Sequence, residues 1–208
     1  MKKILTTLFL IAGSYSLSFA QNFAQANNGV EFGVNVGYNA SYLTENLNST
    51  SVASGFNFGI SADFPLSESW GIKAKVIYDQ KGWGDGFLTT STGATITDVN
   101  YRLNYITIPL LASWHFGWTK NWYVNFGPYV GLLMSASETT DNIDVKSSFN
   151  STDEGLALGV GVKFPISDNV KLFIETDGQS GLVNVFKDSN GAIYQNVRSS
   201  INVGLNFR

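Results

Sequence analysis

The chain has one histidine, His115, and it stands in Ser113-Trp114-His115, a spacing that raises the question of a serine–histidine relay. Four carboxylates, Glu31, Asp63, Asp79 and Glu175, could pair as general acid and base. Four lysines, Lys73, Lys75, Lys163 and Lys171, match them in number, and ion pairing accounts for both sets more simply. Gly159-x-Gly161 has the look of a phosphate loop, yet it lies inside an alternating run and precedes no helix. Asp141-Asn142-Ile143-Asp144 and Asp188-Ser189-Asn190-Gly191 offer oxygens without calcium-loop spacing, and read as solvated loop tips. Asn48-Ser49-Thr50 and Asn150-Ser151-Thr152 match the glycosylation pattern by chance in long loops. With no cysteine, thiolate metal sites, disulfides and cysteine nucleophiles drop out together. No catalytic residue, metal ligand or cofactor site is expected.

The elements that must position these groups come from composition and period. Of 208 residues, 44% are hydrophobic, 14% aromatic and only 14% charged, where soluble domains average about 25% charged. A formal charge of −3 argues against a nucleic-acid groove, which needs clustered Lys and Arg. Met1-Lys2-Lys3, an apolar run over residues 4–12 and Ser18-Phe19-Ala20 form a secretory signal pattern, predicting removal of residues 1–20. Residues 21–29 then form a lead-in and 30–208 the folded barrel. No stretch is long and apolar enough for a membrane helix, which takes roughly 20 residues.

From Glu31 the chain alternates with a period of two. Phe32, Val34, Val36, Tyr38, Ala40 and Tyr42 share one face, and Gly33, Asn35, Gly37, Asn39 and Ser41 the other. The pattern recurs over 56–64, 70–79, 106–114, 122–134, 155–164, 170–175 and 200–207, which predicts eight strands. Long polar connections (43–54, 84–100, 137–153, 181–195) alternate with tight ones (65–69, 117–121, 165–169). Two tight turns nearly repeat, Phe64-Pro65-Leu66-Ser67-Glu68 and Phe164-Pro165-Ile166-Ser167-Asp168. The expectation is an all-β, eight-stranded antiparallel up-and-down transmembrane barrel, with short periplasmic turns and long extracellular loops.

The apolar face carries no charge in these windows, whereas the opposite face carries the eight charges named above. A Lys or Arg on the lipid face of a barrel costs about 2–4 kcal/mol at the midplane. The charged face therefore turns inward, as a luminal ion-pair network of Glu31, Asp63, Lys73, Lys75, Asp79, Lys163, Lys171 and Glu175. Trp70, Trp114, Trp118, Trp122, Phe64, Phe164 and Phe207 lie beside the short turns. Tyr38, Tyr78 and Trp83 lie toward the long loops, so the two groups predict two interfacial aromatic belts. His115 falls within the first belt and reads as interface packing. Pro109 and Pro128 sit on adjacent strands at similar height if the turn centres near Thr119, predicting a bulge or a water where the ladder lacks an N–H.

Residues 29–208 resemble the small outer-membrane barrels described as porin-family or PorT-like, a wider relation of the OmpX/OmpA barrels. The resemblance rests on Gly33-x-x-x-Gly37-x-Asn39, Lys81-Gly82, residues 105–111 (YITIPLL), Gly127-Pro128-Tyr129-x-Gly131, Gly159-x-Gly161, Gly181-Leu182-x-Asn184-Val185 and the closing Gly204-x-x-Phe207. Two departures stand out: Asp177 where family members often carry arginine, and Arg208 after the terminal aromatic. The resemblance implies an outer-membrane protein without cofactor, recognised by the barrel-insertion machinery through its last strand. The lead functional expectation is a non-enzymatic barrel, embedded in outer-membrane lipid, whose surface loops contact an extracellular or secretion-system protein. The alternative is a narrow pore or a secretion accessory.

Overall fold

The computed structural model describes residues 29–45, 48–89, 95–189 and 191–208. Residues 1–28, which hold the expected signal and nearly all of the lead-in, lie outside them. Eight long strands follow one another: β1 Glu31–Glu45, β2 Ser51–Pro65, β3 Trp70–Thr89, β4 Thr95–Phe116, β5 Trp122–Glu138, β6 Thr152–Ser167, β7 Val170–Gly181 and β8 Tyr194–Phe207. Each pairs antiparallel with the next, and β1 also pairs with β8 from Phe32↔Phe207 to Glu45↔Tyr194, closing the barrel. A two-residue strand, Asn48–Ser49, folds back on the end of β1. Closure leaves no sheet edge through the paired region, which is the condition for strands to cross hydrocarbon.

The faces sort as the period requires. Phe32, Val34, Val36, Phe58, Ile60, Leu156, Leu158 and Val203 point out and are well exposed. Asn35, Asn39, Asp79, Asn125, Glu175 and Asn202 point in and are buried. Leu111, which interrupts the polar run of β4, is an inward residue packed with Tyr129 and Ala157.

Higher up, the pattern inverts. On β4, Ile106, Ile108 and Leu110 face outward, yet Arg102 faces outward too, while Tyr101, Leu103 and Tyr105 are buried inside. The same reversal puts Trp83 and Leu43 in the interior. The barrel thus has two storeys. The lower is apolar outside and polar inside, and the upper is polar outside with an apolar core, as water on its outer surface demands.

This inversion corrects the loop boundaries. Residues 43–54, 84–100 and 137–153 read as loops from their polar Ser, Thr, Asn, Asp and Gly content, since the alternation there no longer runs polar-in and apolar-out. Instead β1 continues to Glu45, β3 to Thr89, β4 begins at Thr95 and β5 runs to Glu138. The two similar tight turns also differ. β2 stops at Pro65, with Ser67 Oγ accepting from the Trp70 N–H at 3.0 Å, whereas β6 passes its proline and reaches Ser167 through a bulge. At Pro109 and Pro128 no bulge forms. The β4–β5 ladder skips Leu110 and Leu111 and resumes at Ala112↔Phe126 in unchanged register. The bulge on this pair lies higher, next to Asn104↔Ser135.

Candidate functional site

The inward side chains stack in three charged tiers. At the short-turn end Lys163 bridges Glu31 (2.7 Å) and Asp63 (3.2 Å), Lys171 also holds Glu31, and Lys73 lies 3.5 Å from Asp63. The Lys73 ammonium sits over the Tyr123 ring, 4.5 Å from its centre. Glu31, Asp63, Lys163 and Lys171 line a vestibule of about 160 Å³ that opens between the short turns.

The middle tier joins opposite walls. Lys75 donates to Glu175 at 2.7 Å, and Asn125 Nδ2 donates to the other oxygen of Glu175 at 2.9 Å. Arg198 ties Asp177 to Asp79, the latter at 3.3 Å. Asn39 Nδ2 also donates to Asp79, at 2.9 Å, while Asn57 Nδ2 donates to Asn39 Oδ1 at 2.7 Å. In the upper tier Lys81 meets Asp153 at 2.8 Å, and Tyr129 Oη and Asn196 Nδ2 donate to the same carboxylate at 3.2 Å each.

Over this lies an aromatic lid. Trp83 stacks on Tyr101 at 5.0 Å and meets Phe149 and Phe186 edge-on at 5.8 and 5.9 Å. Two loops deliver those phenylalanines, residues 139–151 and 182–193, and backbone bonds lace them together. Asn150 N donates to Val185 O (2.8 Å) and Lys187 N to Ser148 O (3.1 Å), while Asn150 Nδ2 reaches the carbonyls of Asn184 and Phe186.

All eight charges expected in the lumen are placed there, but Asp79 pairs with Arg198 and not with a lysine. Lys81, Asp153, Asp177 and Arg198 complete the network, giving six cations and six anions among the described residues. Each of the four continues the inward parity of its strand, so extending the period by a few residues would have found them. Of the expected aromatics, Trp70, Trp114, Trp118, Trp122, Phe64, Phe164, Phe207 and Tyr38 are exposed on the outer surface. Tyr78 is half-buried there, against Phe58 at 5.1 Å.

Trp83 is the exception: 2% exposed, it belongs to the lid and not to a lipid belt. Its odd number on β3 puts it on the face of Lys73, Lys75 and Lys81. His115 is corrected in the same way. Its ring turns into the vestibule, with Nε2 3.2 Å from Ser113 Oγ and 3.8 Å from Asp63, and Nδ1 3.3 Å from the Lys120 carbonyl. Serine and carboxylate approach the same nitrogen and Ser113 is fully buried, so the trio lacks the geometry of a nucleophilic relay.

A closed eight-stranded meander with a filled polar lumen and an apolar outer wall is the architecture of one class of membrane protein. The family model described as outer membrane protein beta-barrel domain matches residues 19–187. The chain belongs to that family. It resides in the bacterial outer membrane, with the apolar wall against lipid. No curated protein matches the sequence. Among solved structures, Neisserial surface protein A is similar at TM-score 0.50 and 20% identity, over 85% of this chain and 98% of that one. OprG from Pseudomonas aeruginosa has TM-score 0.49 and 11% identity, over 88% and 97%. Ail of Yersinia pestis, solved with the heparin analogue sucrose octasulfate, has TM-score 0.47 and 14% identity, over 86% and 100%. At such identities the likeness concerns the fold. Within this outer-membrane barrel, the tiers lock the wall from inside and the lid seals one end.

Proposed function

We propose that the protein is a non-enzymatic anchor: a rigid outer-membrane barrel that presents its upper storey to a protein partner outside the cell. The observation that carries this reading is the filled lumen. Above the vestibule the tiers and the lid occupy the interior, so the chemistry accessible from the loop side lies on the rim. The loops 139–151 and 182–193 and the upper extensions of β1, β3, β4 and β5 stand at one end and the tight turns at the other, which matches an outward rim and periplasmic turns. On that rim, among the described residues, Asp85, Asp141, Asp144, Glu154 and Asp188 outnumber Arg102, Lys146 and Lys187, which suits a partner with a basic face. The same filling opposes a conducting pore.

The lack of native cysteine makes the test direct. Asp141→Cys and Asp188→Cys label with a membrane-impermeant maleimide on intact cells, whereas Thr119→Cys labels only after permeabilisation. The opposite pattern inverts the orientation and overturns the reading. Stepwise conductance of the purified protein in planar bilayers would replace the anchor with a pore, and a co-purifying envelope secretion protein would make it an accessory.

A further inference from the structure

Two buried amide oxygens in the middle tier, Asn125 Oδ1 and Gln179 Oε1, accept no hydrogen bond from any protein group. A buried acceptor without a donor carries the full cost of its lost hydration. Turning the Asn125 amide over would not relieve this, because its Nδ2 donates to Glu175 Oε2 at 2.9 Å and that bond would be lost. Both residues line one small cavity of about 10 Å³, together with Lys75, Glu175, Leu111 and Ala157. That volume is about one water-sized sphere, the least that admits a water, and an internal water needs 2–4 polar partners.

Lys75 supplies a further partner. Its ammonium has three N–H donors: one goes to Glu175 Oε1 at 2.7 Å, a second faces Asp177 at 4.0 Å, and a third remains. We propose that the cavity binds a single ordered water, which donates its two hydrogens to Asn125 Oδ1 and Gln179 Oε1 and accepts from Lys75. A cation of similar size is disfavoured by the adjacent ammonium, and an anion by Glu175, Asp177 and the two amide oxygens. Leu111 and Ala157 close the apolar side. The water acts as a strut that completes the tier, whatever the loops bind.

A crystal structure of the full protein, at a resolution that shows other internal waters, reads the site directly. The expected result is solvent density within about 3.2 Å of both oxygens. An empty cavity, or a Gln179 amide whose NH2 occupies it, overturns the proposal. A cavity-filling cycle tests it in solution through the temperature of the heat-modifiable gel shift. Ala157→Val lowers that temperature by several degrees in the native background, because the added methyls displace the water and strand both acceptors. In a Gln179→Met background the same substitution costs much less. An equal cost in both backgrounds means simple overpacking, and a gain in the native background means a dry cavity; either result defeats the proposal.

Discussion

Lys75 and Glu175 show what a paired charge does inside a membrane barrel. Both are almost completely buried and separated by 2.7 Å. Neither can reach bulk solvent, so the loss of one strands the other, at about 3–5 kcal/mol for breaking a buried pair. Lys75→Met is therefore strongly destabilising in urea-unfolding titrations from lipid vesicles. Lys75→Met with Glu175→Leu recovers most of the loss, since apolar replacement of a whole buried pair is often neutral. If the double variant were as unstable as the single one, the pair would have a role beyond mutual neutralisation. Glu138, in the upper storey above the lipid-facing strand segments, works differently. Backbone N–H donors, Asp141 first (2.7 Å) and Thr140 second (2.5 Å), hold its carboxyl below the ordinary 4.5. A lowered folded value means that its contribution is complete above the ordinary carboxylate range and is lost as pH falls through the lowered one. The Thr140 and Asp141 amides should thus be protected from hydrogen exchange at neutral pH. They should lose that protection in acid or in Glu138→Gln, beyond the intrinsic pH dependence of exchange. Unchanged protection in the variant would show that the turn holds itself.

At the scale of the strand, the parity of a residue decides its surroundings, and the legibility of the sequence depended on how far parity was followed. The eight strands, their antiparallel order and both faces of the membrane storey could be read from the period of two. By residue type Trp83 and His115 resemble aromatic-belt members, although their odd numbers on β3 and β4 put them with the inward lysines and Ser113. The upper storey was hidden for a physical cause. Where water replaces lipid outside the wall, inside and outside exchange polarity, so Arg102 between Tyr101 and Leu103 looks like the end of a strand. Glycine can mislead too. Gly161 faces the lumen and invites substitution by number alone, yet Tyr123 lies across it and a side chain there would also crowd the Ile174 carbonyl, at 2.8 Å. At Gly131 the neighbours of an added Cβ stand at 3.3–3.5 Å, and the ring of Tyr105 can give slightly. Val160→Arg on the lipid face should accordingly block insertion, and Gly131→Ser should assemble, each followed by the gel shift in outer-membrane fractions. Equal outcomes for these two would remove the face assignment. Trp83→Ala removes the centre of the lid and should cost about 3–5 kcal/mol, as truncation of a buried large aromatic does. The lid loops should then become protease-sensitive while the barrel core still inserts.

For the molecule as a whole, the question is which solvent each tryptophan meets. A soluble barrel would put charge outside and its apolar residues within, whereas this one has its twelve paired charges inside, in three tiers, and bare Phe, Leu, Ile and Val on the wall. Its five tryptophans divide by environment. Trp70 and Trp114 stack on one another at 6.2 Å on the outer wall, with Trp122 also outside. Trp118 stands fully exposed at the tip of the turn that Gly117 enters at φ +82°. Trp83 is buried at the centre of the lid. In vesicles, lipids brominated along the acyl chain should quench Trp70, Trp114 and Trp122, leaving Trp83 bright, and aqueous iodide should reach Trp118 far more than the rest. Single-tryptophan variants with phenylalanine at the other four positions separate the signals. Equal iodide access to Trp70, Trp114 and Trp122 in sealed vesicles, with no response to bromine, would mean that the apolar wall faces water. No arrangement of the lumen could then account for an interior that collects every buried charge while the surface displays its hydrocarbon.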